Sequence, residues 1–274
     1  MKEKIKFSVL MSVYKKEKAN NLKTAIDSIV NQTLIPNEFI IIEDGPLTSE
    51  LENVLNEYTR KYNWIKTIKL EKNVGLGVAL KEGVLHCNYE YIARMDSDDY
   101  SLANRFEEQI NKIKKDKMID VIGTCVIEYD ETMQKRLKIK RVPEDNDEIS
   151  KYIKKRNPIN HMSVMYKKQK VLEAGNYIKC EFFEDYYLWC RMIKNGCRFY
   201  NIQKNLVNVR AGNEMINRRG GICYCKHIIN FQNKILRIKM INLLEYLINI
   251  LIRCFIAIMP SWIRERIYNK LLRG

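Results

Sequence analysis

A chain of 274 residues has room for one large α/β domain, or for one domain with an appendage. Its hydrophobic content of 46% is ordinary, but its net charge of +15 indicates an anionic partner such as a nucleic acid, a membrane surface or a phosphorylated substrate. The eight cysteines form no CxxC pair and no cysteine–histidine spacing that suits zinc, and the first residues show no secretory pattern. We therefore expect reduced thiols in a cytoplasmic protein.

The first 126 residues alternate between strand-like and helix-like segments. Compact apolar runs predict strands at 5–12, 38–42, 65–70, 89–95 and 121–126. Apolar residues at helical spacing predict helices at 22–30, 49–61, 78–85 and 102–115. This order predicts an α/β fold with a mostly parallel sheet and helices on both faces.

The second half is less regular. It contains predicted helices at 144–155 and 184–194, and predicted strands at 162–166, 198–202 and 206–210. The segment 211–221 is rich in Gly, Asn and Arg and is predicted to be a mobile loop.

Polar side chains follow three of the predicted strands. They are Ser12-Val13-Tyr14, Glu43-Asp44-Gly45 and Asp96-Ser97-Asp98-Asp99. Because the carboxyl ends of parallel strands meet at one edge of a sheet, where ligands bind, we expect these groups to lie on one rim.

Three carboxylates within four positions are the most informative feature of the chain. Carboxylates this close raise one another's pKa unless a cation neutralises them. Mg²⁺ and Mn²⁺ prefer oxygen ligands and often bind through carboxylates and substrate phosphates. Asp96, Asp98 and Asp99 therefore predict a metal–diphosphate site, and a solvated turn with a helix cap is the alternative. We assign Asp99 to the cap of the helix that follows.

Five motifs occur in order and at sensible spacing. They are Ser8-Val9-Leu10-Met11-Ser12-Val13-Tyr14, Glu43-Asp44-Gly45, Asn73-Val74-Gly75, Asp96-Ser97-Asp98-Asp99 and Glu184-Asp185. Together they resemble the family-two glycosyltransferases, whose nucleotide-diphospho-sugar-binding fold is called GT-A, over about residues 5–220. The segments 209–213 and 218–221 resemble the bacterial subgroup that builds exopolysaccharide, capsule or lipopolysaccharide chains.

The resemblance implies a donor site in the first half. Val13 and Tyr14 would meet the nucleobase, and Asp44 would contact uracil or ribose unless it is only a turn residue. Asn73 and Gly75 would line the same site. Lys81, one helical turn further on, would reach the base or the diphosphate, or else be a solvated lysine. Asp98 would bind the divalent metal, Mn²⁺ or Mg²⁺, and Asp96 would contact the ribose or the metal.

The resemblance also implies an acceptor side. Asp185 would be the catalytic base of an inverting transfer, with Glu184 orienting the site, and an acidic helix cap is the alternative for the pair. Arg219, with its neighbour Arg218, would clamp the diphosphate unless this loop is merely solvated. His161 would line the acceptor pocket or be structural. The QxxRW motif of processive members is absent from the sequence.

The C-terminal tail is apolar and basic. Residues 240–259 are dominated by Ile, Leu and Phe, but a stripe of polar residues from Lys239 to Arg253 predicts an amphipathic helix rather than a membrane span. Pro260 ends it, and a second short helix carries Trp262. Such helices suit an anionic membrane surface, and packing on the catalytic domain or on a second subunit is the alternative.

The sequence thus predicts a catalytic domain at 1–222 and a basic amphipathic helical tail at 223–274. The domain would divide into a nucleotide-binding half at about 1–126 and an acceptor half at about 127–222. The resemblance implies an inverting, metal-dependent glycosyltransferase that moves a hexose or N-acetylhexosamine from a UDP-sugar to a lipid-linked glycan. It would work at the inner face of the cell membrane in surface polysaccharide biosynthesis.

Two other classes of protein fit the sequence less well. A sugar-phosphate nucleotidyltransferase would carry a Gly-rich loop after the first strand, and residues 14–17 contain no glycine. A basic nucleic-acid-binding module would interleave aromatic and basic residues on a sheet, whereas here the charge gathers in helices and the tail, so no nucleic acid is expected. The sugar, the acceptor and the oligomeric state stay open.

Overall fold

The computed structural model describes residues 5–211 and 219–271. The strands within them are β1 (Phe7–Val13), β2 (Glu38–Glu43), β3 (Ile65–Lys69), β4 (Tyr91–Asp96), β5 (Tyr100–Ser101), β6 (Val121–Tyr129), β7 (Arg136–Lys140), β8 (Met165–Lys167) and β9 (Phe199–Arg210). The helices are α1 (Ala19–Val30), α2 (Ser49–Lys61), α3 (Leu76–His86), α4 (Arg105–Lys115), α5 (Asn146–Tyr152), α6 (Lys168–Glu173), α7 (Glu184–Lys194), α8 (Gly221–Arg237), α9 (Leu243–Ile258) and α10 (Ser261–Leu271). A short 3-10 helix spans His161–Ser163.

The strands form one sheet in the order β3-β2-β1-β4-β8-β6-β9-β5, with β7 paired to β6. β1 to β4 run parallel, and β6 and β9 run parallel to each other, while β8 lies antiparallel between β4 and β6. The expectation of a mostly parallel sheet is confirmed.

Apolar layers cover both faces of this sheet. One layer joins Phe7, Val9 and Met11 of β1 to apolar residues of α1, α2 and α4. The other joins Leu10 of β1 and Ile42 of β2 to α3, α7 and α8. Because both faces are buried, β1 and β2 are almost continuously apolar, and their polar groups cluster where the strands end.

Some local expectations were wrong or incomplete. The strands expected at 198–202 and 206–210 are one strand, because a register irregularity opposite Cys125 accommodates the polar residues between them. β7 was missed, because three of its five residues are basic. Asp99 does not cap a helix: α4 begins at Arg105 after Asn104, and the Asp99 carboxylate accepts the Arg210 amide at 2.9 Å.

The tail folds back against the rest of the chain. α8 packs against α7 and α9, and α9 starts with a capping box in which Asn242 and Glu245 bond each other's backbone amides. The helix ends before Pro260, as predicted, and α10 follows. Within residues 5–211 and 219–271, no helix combines the length and apolarity that a membrane crossing needs.

Candidate active site

The parallel register brings the polar strand ends together. Ser12 of β1 lies opposite Asp96 of β4, and Val13 lies opposite Glu43 of β2. Val13 is buried, its carbonyl accepts the Asp44 amide at 2.8 Å, and Tyr14 beyond it is 39% exposed. The predicted rim therefore exists, with the end of β1 between the other two groups.

Asp44 organises the loop that precedes α3. Its Oδ1 accepts the Val74 amide at 2.7 Å, and its Oδ2 accepts the Gly75 amide at 3.1 Å and the Asn73 side-chain amide at 3.0 Å. Gly45 has φ +84°, and a Cβ there would lie 2.5 Å from the Asn73 nitrogen, so only glycine allows this approach. Asp44, Asn73 and Gly75 are thus one hydrogen-bonded unit.

The acid cluster is as compact as its spacing predicts. Carboxylate oxygens of Asp96, Asp98 and Asp99 all lie within 4.8 Å of one another. A fourth acid borders them, because the Ser97 hydroxyl donates to Glu17 Oε2 at 2.7 Å. Sequence reasoning missed Glu17, which lies in a polar turn that offers no periodic signal.

Negative charge in this cluster is only partly neutralised. Burial, together with the charges of Asp96 and Glu17, raises the pKa of Asp98 to about 7. Burial and the charges of Asp98 and Asp96 raise the pKa of Asp99 well above its usual range. A set of crowded oxygen donors whose ionisation is unfavourable fits a hard divalent cation such as Mn²⁺ or Mg²⁺.

Arg94 pairs with the cluster and was not predicted. Its side chain is buried, Nη2 donates to Asp96 Oδ1, and Nε and Nη1 have no hydrogen-bond partner among the described residues. Its charge also acts on Asp185, where it opposes the rise in pKa that burial causes, so Arg94 couples electrostatically to both acidic groups. A charged residue inside an otherwise apolar strand was the available signal.

The second acidic pair opens α7. Glu184 and Asp185 occupy the first turn, and the N-cap position is Phe183, so neither acid is the cap. Burial raises the pKa of both, that of Glu184 to about 7. A Cβ added to Gly77 would lie 2.6 Å from Glu184 Cγ, which shows that the start of α3 abuts the start of α7.

The Asp185 carboxylate accepts a hydrogen bond from a distant side chain, in addition to one from the adjacent Tyr186 backbone amide. The Asn157 side-chain amide donates to Asp185 Oδ2 at 2.6 Å and opposes the effect of burial on its pKa. Sequence reasoning missed Asn157, because nothing in a polar loop reveals which distant carboxylate it will reach.

The remaining predicted residues are spread around this centre. Lys81 is exposed on α3, and its carbonyl accepts Asn176 Nδ2 at 3.1 Å. His161 Nε2 pairs with the Tyr177 hydroxyl at 2.9 Å. Arg219 is half-buried just before α8, while Arg218 and most of the predicted loop at 211–221 lie outside the described residues.

The fold is that of the GT-A glycosyltransferases. The crystal structure of S. aureus TarS 1-349 in complex with UDP-GlcNAc superimposes with a TM-score of 0.70 at 18% identity, covering 96% of this chain and 75% of that one. The mannosyltransferase PcManGT from Pyrobaculum calidifontis, in complex with GDP-Man and Mn²⁺, gives a TM-score of 0.64 at 11% identity, covering 86% and 65%.

Sequence comparison defines the family. The profile described as Glycosyl transferase family 2 matches residues 8–172. The UDP-Gal:alpha-D-GlcNAc-diphosphoundecaprenol beta-1,3-galactosyltransferase of Escherichia coli is 40% identical over 98% of this chain and 97% of its own. The amylovoran biosynthesis glycosyltransferase AmsE of Erwinia amylovora is 37% identical over 98% and 100%. The chain belongs to glycosyl transferase family 2 and is a glycosyltransferase.

Proposed function

We propose that this glycosyltransferase inverts the anomeric centre, depends on a divalent metal, and transfers a hexose or N-acetylhexosamine from a UDP-sugar to a lipid-linked glycan. One observation carries the proposal: the buried Arg94 pairs with Asp96 of the crowded cluster Asp96, Asp98 and Asp99, and its charge also acts on Asp185 of the second acidic pair. Such an arrangement supplies one acidic group for a leaving diphosphate and another for an attacking hydroxyl.

Asp98 and Asp96 would hold Mn²⁺ or Mg²⁺, whose charge stabilises the departing nucleoside diphosphate as a Lewis acid. The buried Arg94 side chain holds the Asp96 carboxylate in place by donating a hydrogen bond to it. Val13, Tyr14 and the unit of Asp44, Asn73 and Gly75 form the rim on which the nucleoside would lie. Lys81 and Arg219 would approach the phosphates from α3 and from the start of α8.

Asp185 is the proposed base. It would take the proton of the acceptor hydroxyl as that oxygen bonds to the anomeric carbon and the bond from this carbon to the diphosphate oxygen breaks. The pKa of Asp185 is raised mainly by burial, which makes its carboxylate a stronger proton acceptor than an exposed aspartate. Glu184, pressed against Gly77, would position the sugar between the two acidic groups.

The relatives favour a particular donor and acceptor. The E. coli relative is named for UDP-galactose and for N-acetylglucosamine linked to diphosphoundecaprenol, and the Erwinia relative for amylovoran biosynthesis. We infer galactose from UDP-galactose as the first donor to test, a polyprenyl-diphosphate-linked N-acetylhexosamine as the acceptor, and a place in surface polysaccharide biosynthesis.

A lipid-linked acceptor requires the enzyme to reach a membrane surface. We divide the chain into a catalytic domain at 1–222 and a tail at 223–274. The tail would contact the membrane. Residues 226–274 carry nine Lys or Arg against two Glu, a net charge of +7. The outer face of α9 is apolar and exposed, as is Trp262 of α10. An apolar face with surrounding positive charge suits the inner, anionic leaflet of the cell membrane, where the protein would be peripheral.

The test is a donor panel of UDP-galactose, UDP-glucose, UDP-GlcNAc, UDP-GalNAc and GDP-mannose with a polyprenyl-diphosphate GlcNAc acceptor. We expect transfer with Mn²⁺ or Mg²⁺, loss with chelator, and loss in Asp98→Ala. Asp185→Asn should lose about 10²–10⁴-fold in kcat, while Asp147→Asn, at an exposed position, should not.

Several results would overturn parts of the proposal. Full activity in chelator would remove the metal, and full activity of Asp185→Asn would remove the base. A product that keeps the anomeric configuration of the donor, read by NMR, would exclude inversion. A separate incubation with UTP and a sugar 1-phosphate tests the alternative, since formation of a UDP-sugar and pyrophosphate there, without sugar transfer in the donor panel, would favour a nucleotidyltransferase.

A further inference from the structure

Helix α9 exposes apolar side chains to solvent, whereas an ordinary surface helix exposes its polar side chains. Eight of its apolar side chains are 46% to 72% exposed: Leu243, Leu244, Leu247, Ile248, Leu251, Ile252, Phe255 and Ile258. The inward face carries the buried Asn249 and Ala257, with Tyr246 and Cys254 packed against the core. The polar contacts of this inward face show what else α9 is attached to.

Some of these contacts join α9 to α8, where Asn249 Nδ2 donates to Gln232 Oε1 at 3.3 Å. The others converge on the short segment that follows α5. Asn249 Nδ2 donates to the Lys154 carbonyl at 2.9 Å, and Arg253 Nη2 donates to the Lys155 carbonyl at 2.6 Å. Glu245 Oε1 also lies 3.3 Å from Lys154 Nζ. Three polar side chains of α9 thus bind two consecutive residues. We call residues 153–157 the strap.

The other side of the strap contacts the start of α7. The Tyr186 hydroxyl donates to the Ile153 carbonyl at 2.5 Å, and Asn157 Nδ2 donates to Asp185 Oδ2 at 2.6 Å. Five residues therefore join the polar face of α9 to the Asp185 carboxylate. The plane of an aspartate carboxylate rotates in a broad, shallow energy well, so an external donor is needed to hold one orientation.

We propose that Asn157 is a positioning residue for Asp185, and that α9 sets its position through the strap. The proposal rests on the role of Asp185 as the base. The Asn157 amide bonds Oδ2 and, together with the adjacent Tyr186 amide, fixes the plane of the carboxylate that would accept the proton of the acceptor hydroxyl. Asn249 and Arg253 hold the strap at the other end, so the helix that faces away from the protein also orients the base.

The charge around Asp185 makes this testable by pH. Its environment contains these titratable or charged groups: Glu184, Arg94, Lys140, Tyr177, Cys180 and Cys190. The Asn157 hydrogen bond lowers the pKa of Asp185. Losing that bond raises the pKa, so the acidic limb of the kcat profile should move to higher pH.

The experiment compares Asn157→Ala and the isosteric Asn157→Asp with wild type in the transfer assay, at saturating donor and acceptor. We expect kcat of both variants to fall on the order of 10²-fold while the KM for the donor stays unchanged. The acidic limb of the kcat profile should move to higher pH. This shift should be larger in Asn157→Asp, because that variant adds a negative charge. Thermal melting identifies any variant that fails to fold, and Asn157→Asp keeps the shape of the side chain.

The role of α9 is tested with the double variant Asn249→Ala, Arg253→Ala. It should lower kcat in the wild-type background but add little in the Asn157→Ala background, because both changes act through one contact. The matched control is Arg237→Ala, which removes the same charge from an exposed position of α8. Additive losses would overturn the link through Asn157.

Failure of this inference is distinguishable from failure of the proposed function. If Asp185→Asn is inactive while Asn157→Ala keeps the wild-type kcat and pH profile, only the positioning role is wrong. If Asp185→Asn is fully active, the base assignment itself is wrong.

Discussion

Replacement of Asp98 by asparagine should abolish transfer and, at the same time, stabilise the metal-free protein. The two side chains have the same shape, but asparagine carries no charge. In the folded protein, burial and the charges of Asp96 and Glu17 raise the pKa of Asp98 from 3.8 to about 7. Ionised Asp98 is therefore a source of instability whenever no cation is bound.

The size of the effect follows from that shift. Below pH 4 both the folded and the unfolded state hold the proton, so the shift has no effect on stability. Between pH 4 and 7 only the unfolded state releases it, so the free energy of unfolding falls as pH rises. A shift of about three pKa units corresponds to about 4 kcal/mol. Because the side chain is partly exposed and salt screens its neighbours, we expect about 2 kcal/mol at pH 8.

The assay is thermal unfolding in chelator at pH 5 and pH 8, repeated with Mn²⁺. For a chain of this size, about 2 kcal/mol raises Tm by about 4–8 °C. Asp98→Asn should melt higher than wild type at pH 8, and the difference should shrink at pH 5. Mn²⁺ should raise Tm of wild type and leave the variant unchanged, because a ligand stabilises only the state that binds it.

The matched control is Asp147→Asn, which makes the same chemical change at an exposed position in the first turn of α5. It should change stability by less than about 1 kcal/mol at either pH. If Asp98→Asn melts at a lower temperature than wild type at pH 8 in chelator, the ionised Asp98 carboxylate stabilises the metal-free protein. That result would refute the claim that crowded negative charge destabilises this cluster when no cation is bound.

Three further predictions concern packing and the tail. Asp44→Ala leaves the Val74 and Gly75 amides without their acceptor. The free energy of unfolding, measured by chemical denaturation, should therefore fall by about 2–4 kcal/mol, and the KM for the donor should rise. An unchanged KM would show that this loop is not part of the donor site. Gly77→Ala places a Cβ against Glu184 Cγ and should lower the free energy of unfolding by about 1–3 kcal/mol. The same substitution in a Glu184→Ala background should not have this effect. An equal loss in both backgrounds would disprove the contact. Leu251→Glu should weaken binding to anionic vesicles, measured by co-sedimentation, about tenfold or more. Met118→Glu, at another exposed apolar position away from the tail, should leave binding unchanged. Equal binding by both variants would count against α9 as the membrane-binding surface.

Much of the first half of the chain, about residues 1–126, is predictable from the sequence. The run from Phe7 to Val13 is almost continuously apolar, which favours a strand covered on both sides, and Asp96 and Asp98 come at the end of another such strand. In a parallel sheet the ends of such strands share one edge. The position of the acid cluster beside Val13 therefore follows from local pattern and one topological rule.

Contacts between distant segments could not be predicted in this way. Asp44 bonds to residues 29 to 31 positions away, and Asn157 reaches Asp185 across 28 positions. Nothing local in a polar loop selects one such partner over another, because the choice depends on how loops pack after the sheet has formed. The role of Asp99 was wrong for the same reason, since its partner, Arg210, is 111 positions away.

Helix α9 shows most clearly what each level decides. The sequence alone determined that residues 240–259 form an amphipathic helix broken at Pro260, because helical periodicity sorts residues onto two faces. It did not determine which face meets the protein. Only the tertiary structure shows that the polar face is turned inward, because Asn249 and Arg253 satisfy exposed carbonyls of the strap while the apolar face stays outside.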